Sequence, residues 1–437
     1  MTQIKSYTFA PISSIHKKLF VCIFLGQISC SYALGIAGTA VTQAIGPLNL
    51  TSFWVGLLGA GTLIGLFGSV VIGNLADKIG RRLLFNIDMI LFTILSLAQF
   101  FVSDVTLLFI LRIGIGITIA IDYTVGSALL TEWFPAKKSA QYQSFLLIFW
   151  IIGFVASYIV GIFLTGFGDD NWRWIISSSV IFGLITALWR LKEKIPESPA
   201  WLASVGRKEE ATELIHQYIG NDYELLEIEK NKVENEKAPA WSDLFSKEVR
   251  MNTLVGGVFY GCQVFPFFGV GIFLPILMEN MNIGNPYVSG ILYNVFMIVG
   301  VVAGVVIFNR VSRRAFLLYT FYISAVALGA MILWRSAPVG ITLILFSIFS
   351  VVLSAGLVLE NPYPPELFDT RLRASGVGAV IAISRIGAAS GTFLLPIIMD
   401  KFGVYTTLGV CLVILLLGGI FCHLYAPETS PNFKKSK

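Results

Sequence analysis

The sequence predicts an all-α integral membrane protein in which twelve transmembrane helices form two six-helix bundles. Its composition, the lengths of its apolar blocks and motifs that recur in its second half all favour this fold class. Of the 437 residues, 56% are hydrophobic and only 13% are charged, and the mean hydropathy is +0.78. Soluble domains carry about 25% charged residues. The composition therefore excludes a soluble enzyme.

The apolar blocks have the length that a membrane-spanning helix needs, about 20 residues. Glycine, proline, asparagine and charged residues separate them. The first block is too long for a cleaved signal peptide, so we expect it to remain as the first span. In chain order the predicted spans are 18–45, 52–76, 83–102, 105–130, 140–166, 174–190, 251–277, 287–308, 315–334, 338–361, 375–398 and 404–425.

The basic residues predict the orientation of these spans. With a cytoplasmic N-terminus, 26 of the 31 Lys and Arg residues fall on the cytoplasmic side, as the positive-inside rule requires. We therefore expect a multi-pass protein of the plasma membrane, the inner membrane in bacteria, with both termini cytoplasmic. This distribution explains the net charge of +5 without a nucleic-acid partner. The five cysteines lack metal-ligand spacing, so no metal or other cofactor is expected.

One connection is much longer than the others and divides the chain. Residues 191–250 hold 13 of the 26 acidic residues, and Lys208–Tyr218 and Tyr223–Val233 have the pattern of short amphipathic helices. We predict an N-terminal six-helix bundle over 1–190, a cytoplasmic linker with short helices over 191–250, and a C-terminal six-helix bundle over 251–437.

Three pairs of motifs recur at nearly the same offset, which indicates two related halves. Asp77 and Asn309 follow spans two and eight, an offset of 232 (309 − 77). Glu132 and Glu366 follow spans four and ten, an offset of 234 (366 − 132). The Pro-Glu pairs that begin at 196 and 427 follow spans six and twelve, an offset of 231 (427 − 196). Related halves predict a binding cavity at their interface.

These motifs resemble those of the major facilitator superfamily over essentially the whole chain. The most similar branch is the sugar-porter-like one, which includes metabolite:proton symporters and organic anion transporters. The resemblance rests on Gly73–Arg82, which matches the pattern G-x-L-A-D-R/K-x-G-R-R, and on Arg112, Pro196–Leu202 and Tyr363–Arg373. It implies the major facilitator fold and a secondary transporter rather than an enzyme.

Charged residues at the cytoplasmic helix ends are expected to gate the transporter or to brace it. We expect Asp77 to accept backbone N–H groups at a neighbouring helix N-terminus, with Arg81 and Arg82 pairing with acids across the bundle. Alternatively, this cluster only anchors a tight turn and sets the topology. Asp88 is expected to pair with the same two arginines. The other gating or structural charges are Arg112, Glu132, Glu360, Glu366, Arg371 and Arg373.

Asp122 is the best candidate for a proton carrier. It lies ten residues beyond Arg112, about 15 Å along a helix, and burial there favours the protonated form of a carboxyl group. The pair Asp122–Tyr123 resembles the Gly-x-Asp-Tyr-Pro motif of phosphate and metabolite symporters, in which the Asp takes part in proton coupling. Thr124 stands where that motif has proline. The alternative is an Asp hydrogen-bonded only for packing.

Arg385 is the best candidate for binding an anion. It lies twelve residues past Arg373, about 18 Å along its helix, and a guanidinium group at that depth needs a negative partner. The stretch 384–387 is similar to a Ser-Arg-x-Gly stretch of organic anion transporters. The alternative partner is a protein carboxylate such as Glu360. Further substrate-binding candidates are Gln27, Tyr123, Gln143, Trp150 and Gln263.

Together these residues favour a transporter that imports a small, anionic organic metabolite with protons by alternating access. We expect its partners to be that substrate, protons and the lipid bilayer, with the protein acting as a monomer. The alternatives are a sugar or polyol:proton symporter, in which Arg385 is structural, and a membrane sensor that transports nothing.

Overall fold

The computed structural model describes residues 5–168, 170–225, 244–247, 249–281, 286–308, 310–360, 362–368 and 372–430, and most of them are helical. The helices that precede the linker are α1 Ser14–Ala44, α2 Ser52–Gly65, α3 Ser69–Ile79, α4 Arg81–Phe101, α5 Val105–Trp133, α6 Ala136–Leu164, α7 Asn171–Ser177 and α8 Ser179–Glu193. The linker contains α9 Pro199–Ser204 and α10 Lys208–Tyr218. The helices that follow are α11 Arg250–Ile272, α12 Leu274–Asn280, α13 Pro286–Phe308, α14 Arg313–Leu333, α15 Val339–Gly356, α16 Tyr363–Glu366, α17 Arg373–Phe402 and α18 Val404–Tyr425.

The predicted membrane spans are confirmed. Within the described ranges, eleven helices are long and apolar enough to cross a membrane, and Ser52–Gly68 with Val71–Ile79 makes a twelfth when this pair, bent by 46°, counts as one span. Close packing accompanies the bend, because a Cβ added at Gly65 would lie 2.2 Å from the carbonyl oxygen of Ile113. The chain is a multi-pass integral membrane protein.

The linker departs from the prediction at one point. Lys208–Tyr218 is helical as expected, but Tyr223–Glu224 is a strand (β2) rather than the start of a helix. It pairs in parallel with the strand β1, Lys5–Ser6. The backbone N–H of Lys5 also donates to the carbonyl oxygen of Asp222 at 3.0 Å, so the N-terminal segment supplies the partner that holds this stretch extended. Residues 226–233 lie outside the described ranges.

Helices pack mainly within two groups, before and after the linker. In the first, α1 lies along α6, and α4 packs on α5 and α8; in the second, α11 lies along α17, and α13 packs on α15. The boundaries at 190 and 250 stay a prediction.

The two groups meet at the end opposite the chain termini. A Cβ added to Gly38 of α1 would lie 1.6 Å from the carbonyl oxygen of Ile272, and one added to Gly56 of α2 would lie 2.2 Å from that of Phe393. Only glycine allows the backbones to approach so closely. This end of the interface is therefore closed.

Gly38→Val should disfavour this closed arrangement, because the added side chain would overlap the Ile272 carbonyl group. Ser127 faces the space between the two groups of helices. In a cysteine-free background, Ser127→Cys therefore reports access to this space when a membrane-impermeant maleimide is added to either side of oriented vesicles. We expect Gly38→Val to raise labelling from the side of the 45–51 loop several-fold. Gly46→Val is the matched control, since nothing lies within 4 Å of a Cβ there. Equal labelling of the two valine variants would contradict the expectation.

Candidate functional site

A cavity of about 220 Å³ lies between the two groups of helices. Both groups supply its wall, and the side chains are mostly apolar or aromatic with two charges, Glu360 and Arg385. Five of the six predicted substrate-binding residues line it. They are Gln27, Tyr123, Gln143, Trp150 and Arg385.

An aromatic wall crosses the cavity. The indole Nε1 of Trp150 donates to the Tyr123 hydroxyl at 2.5 Å, which fixes the ring against the neighbouring helix. The ring stacks on Phe154 with centroids 5.5 Å apart and lies 6.1 Å from Phe267 of α11. Aromatic side chains from both halves therefore form one surface, suited to a planar or apolar part of a ligand.

Arg385 lies half-buried in the wall of this cavity. It makes no ion pair within 4 Å with any residue that the structure describes. The hydroxyl of Tyr260 interacts with both Arg385 and Glu360. The predicted alternative, a direct salt bridge between Arg385 and Glu360, is therefore not seen within 4 Å in the described part of the chain.

Glu360 lies in the cavity wall, and its role as a gating or structural charge stays a prediction. Helix α15 ends in a 3₁₀ turn over Leu357–Leu359, and the Glu360 N–H donates to the Leu357 carbonyl oxygen at 3.0 Å. This turn places the carboxylate beside the ligand space.

Gln263 does not line the cavity, which corrects the expectation for this residue. Its side chain is fully buried, and its Nε2 donates to Thr320 Oγ1 at 2.8 Å. It packs instead against Gly356, where an added Cβ would lie 2.6 Å from the amide nitrogen.

Asp122 is also outside the cavity, in a buried charge cluster beside it. Arg190 Nη2 donates to one carboxylate oxygen of Asp122, and Arg190 Nη1 donates to both oxygens of Asp88 at 2.9 and 3.1 Å. All three side chains have 0% exposure. The guanidinium group also donates to the carbonyl oxygens of Phe85 at 2.8 Å and Cys22 at 3.2 Å.

This cluster corrects two expectations. Asp88 does not pair with Arg81 or Arg82, because Arg190 reaches it from α8. Arg190 itself was missed: its position at the end of the sixth apolar block suggested a cytoplasmic residue, whereas its side chain is wholly buried. The signal that could have found it is the presence of two carboxylates in neighbouring spans, since buried charges need partners.

Arg112 is buried without a carboxylate. Its Nη1 donates to the Ala33 carbonyl oxygen at 3.3 Å and its Nε to that of Leu58 at 3.4 Å. The side chain is 1% exposed, and its Nη2 has no hydrogen-bond partner. Backbone carbonyl groups are thus its hydrogen-bond partners among the described residues. Arg112 joins α1, α2 and α5, which fits a structural role.

The charges after α3 form the expected cluster with one change of roles. Arg81 pairs with Asp77 at 2.9 Å and with Glu132 at 3.1 Å. Glu197, rather than Asp77, accepts the backbone N–H groups of Arg81 and Arg82 at 3.1 Å each. Asp77 is exposed over 66% of its side chain, and Glu197 of the linker caps the start of α4 instead.

The second half repeats this arrangement. Glu428 accepts the backbone N–H groups of Arg313 at 3.1 Å and Arg314 at 3.2 Å. The Arg313 side chain lies 3.6 Å from Glu366, so both Glu132 and Glu366 pair with arginine as predicted. Arg373 is exposed at the start of α17. Arg371 and Asn309 lie outside the described residues.

Comparisons with known proteins agree with this architecture. A family model described as "Sugar (and other) transporter" matches residues 7–433. The chain belongs to this family. Among its relatives, the inner membrane metabolite transport protein YgcS of Escherichia coli (strain K12) is 34% identical over 96% of this chain and 93% of its own length. The niacin transporter NiaP of Acinetobacter baylyi is 26% identical over 93% and 95%.

The fold also matches a solved structure. The xylose transporter XylE from E. coli, in a partially occluded inward-open conformation, superposes with a TM-score of 0.79 over 95% of this chain and 99% of that chain, at 19% identity. XylE is a major facilitator superfamily protein, so the predicted major facilitator fold is confirmed. Membership of a transporter family makes this protein a membrane transporter and not an enzyme, which disfavours the alternative of a sensor.

Glu428→Gln should weaken the start of α14 in a pH-dependent way. Partial burial alone would raise the pKa of Glu428, but hydrogen bonds from Ser430, Ser312, Arg314 and Arg313 outweigh it and lower the pKa. A lowered folded-state pKa stabilises the protein at pH values above the ordinary pKa of glutamate. This stabilisation disappears as the pH falls through the pKa of Glu428 in the folded protein.

We therefore expect Glu428→Gln to cost about 0.5–1 kcal/mol at neutral pH. Thermal unfolding in detergent measures the difference from the wild type, which should shrink as the pH falls below about 4. Glu279→Gln, at an exposed helix end, should behave as the wild type throughout. A Glu428→Gln difference that does not change with pH would contradict the capping role.

Proposed function

We propose that this protein imports a small organic anion together with protons by alternating access. It does so as a monomer in the bacterial inner membrane, with both termini cytoplasmic. The anion binds Arg385 in the cavity between the halves, and Asp122 carries the proton.

The observation that carries this proposal is the unpaired guanidinium group of Arg385 in an apolar cavity. A cation at that depth is costly without a negative partner. Arg385 has no ion pair within 4 Å among the described residues, and the other charged lining residue, Glu360, does not reach it at that distance. A substrate carboxylate would supply the missing charge.

The rest of the wall suits an acid with a flat or apolar body. Trp150 and Phe267 offer aromatic faces, and the amides of Gln27 and Gln143 offer hydrogen bonds. The name of the relative NiaP supports this substrate class, because niacin is an aromatic carboxylic acid.

Asp122 supports proton coupling by its burial and its position. Its chain neighbour Tyr123 lines the cavity, so the carboxyl group lies one residue from the ligand space. Substrate at Arg385 and a proton at Asp122 then each remove a charge that opposes closure of the cavity.

A sugar or polyol is the alternative substrate. The hydrogen-bonding groups of Gln27, Gln143 and Tyr260 would suit hydroxyl groups, and XylE is a xylose transporter. In that case Arg385 and Glu360 would hold the wall together through Tyr260 and would bind no substrate charge.

Uptake into proteoliposomes separates the two substrate classes. With an inward proton gradient, we expect at least one of radiolabelled nicotinate, benzoate and lactate to accumulate several-fold above the level without a gradient, while xylose does not. Arg385→Gln should abolish this uptake, because the carboxylate loses its partner. Arg335→Gln is the matched control, since Arg335 is exposed over the Tyr405 ring. Accumulation of xylose and of no acid would refute the anion assignment.

Asp122→Asn tests the proton carrier. The variant should lose accumulation driven by the proton gradient but should keep substrate counterflow, which needs no net proton movement. Asp104→Asn on the same helix removes an exposed N-cap carboxylate and should retain both activities. Unchanged accumulation in Asp122→Asn would exclude Asp122 from the coupling mechanism.

A further inference from the structure

The charge cluster of Asp88, Arg190 and Asp122 is not balanced. Two carboxylates contact one guanidinium group, and none of the three side chains is exposed. With both acids ionised, the cluster carries one net negative charge within the membrane-spanning bundle. Burying such a charge is strongly unfavourable, whereas one bound proton makes the cluster neutral.

No other charge near the cluster restores the balance among the described residues. On α1, the groups that face it are the thiols of Cys22 and Cys30, and the Cys30 Sγ donates to Asp122 Oδ2 at 3.6 Å. The charged residues that α4, α5 and α8 contribute to it are Asp88, Asp122 and Arg190, and the phenol of Tyr123 on α5 also interacts with Asp122. Two further charges act on Cys22, Lys18 and Glu193, but they pair with each other at 3.0 Å.

We propose that Asp88 and Asp122 share a single proton across Arg190, so that the proton carrier is the acid pair and not Asp122 alone. This inference rests on the proposed proton coupling and adds Asp88 as a proton-binding residue and Arg190 as the residue that positions both acids. In each cycle a proton from water forms an O–H bond on one of the two carboxylates and later returns to water. Two strongly interacting acids titrate as a pair.

Helix α1 connects this pair to the transport cycle. Cys22, Gly26 and Cys30 recur every four residues and form the face of α1 that lies on the cluster. A Cβ added to Gly26 would lie 2.3 Å from Arg190 Nη2 and 2.6 Å from Asp122 Oδ1, so α1 lies against the charges with no gap. Gln27, the residue after Gly26, lines the cavity. Further along α1, Gly38 makes the close contact with Ile272.

A movement of α1 that opens the contact at Gly38 would therefore also change its packing on the charge cluster. Because all three charged side chains are shielded here, exchange of the proton with water requires such a movement. The arrangement links proton exchange to the same helix that closes the cavity.

Infrared spectroscopy of the purified full-length protein tests the sharing directly, since the C=O stretch of a protonated carboxylic acid is distinct from the carboxylate bands. At neutral pH the wild type should show one more protonated carboxyl group than either Asp88→Asn or Asp122→Asn. In each variant the remaining acid pairs with Arg190 and stays ionised. Asp88→Glu should restore the band, and Asp104→Asn should leave it unchanged.

Arg190→Gln shifts the same band in the opposite direction. Without the guanidinium group both acids should hold protons, so the band of the cluster should grow about two-fold. The deciding result is the intensity of the protonated-carboxyl band in the Asp88→Asn variant. A band as large as in the wild type would show that Asp122 holds the proton independently of Asp88 and would overturn the proposal. Spectra that are the same in the wild type and both asparagine variants would overturn it as well, because both acids would then always be ionised.

Transport assays show whether a failure lies in the shared proton or in the proposed function. With radiolabelled nicotinate as the probe, sharing predicts that Asp88→Asn loses gradient-driven accumulation and keeps counterflow, as Asp122→Asn does. If only Asp122→Asn loses accumulation, the sharing fails while proton coupling stands. If the wild type shows no response to a proton gradient with any acid or sugar of the panel, the proposed function itself fails.

Discussion

Charges that lie among membrane-spanning helices must be compensated inside the protein, because no bulk water is available there. Three arginines meet this requirement in different ways. Arg190 binds two aspartates, Arg112 binds backbone carbonyl groups, and Arg385 faces the cavity without an ion pair among the described residues. The protein thus supplies partners for two guanidinium groups itself, and the proposed substrate anion would compensate the third. The two proposed functional sites follow from this difference.

Helix α1 ties the sites together. It packs on the buried charges, supplies part of the cavity wall and forms the closed contact between the halves. Small residues allow two of these contacts, with Gly26 at the charges and Gly38 at the Ile272 backbone. Because both close contacts lie on one helix, a movement of α1 would change both of them. Changes at the charge cluster and at the closed end are therefore expected to occur together.

The fold could be predicted well because hydropathy and recurring motifs depend on local sequence. The spans, the paired motifs of both halves and five of the cavity residues follow from the sequence. Partners across the bundle could not be predicted in this way. Arg190 lies at the end of an apolar block and reads as cytoplasmic, although its long side chain reaches Asp88 in the interior. Gln263 was wrongly predicted to line the cavity. Because 83% of α11 is buried, its sequence has no polar face that would identify the side towards the cavity.

Proton movement and charge movement recorded together in proteoliposomes test most directly whether an anion and a proton share one transport cycle. With one proton on the acid pair and one monocarboxylate on Arg385, substrate entry should make the external medium more alkaline and produce no net current. An inward current that accompanies xylose, or entry of the acid without proton movement, would contradict the mechanism.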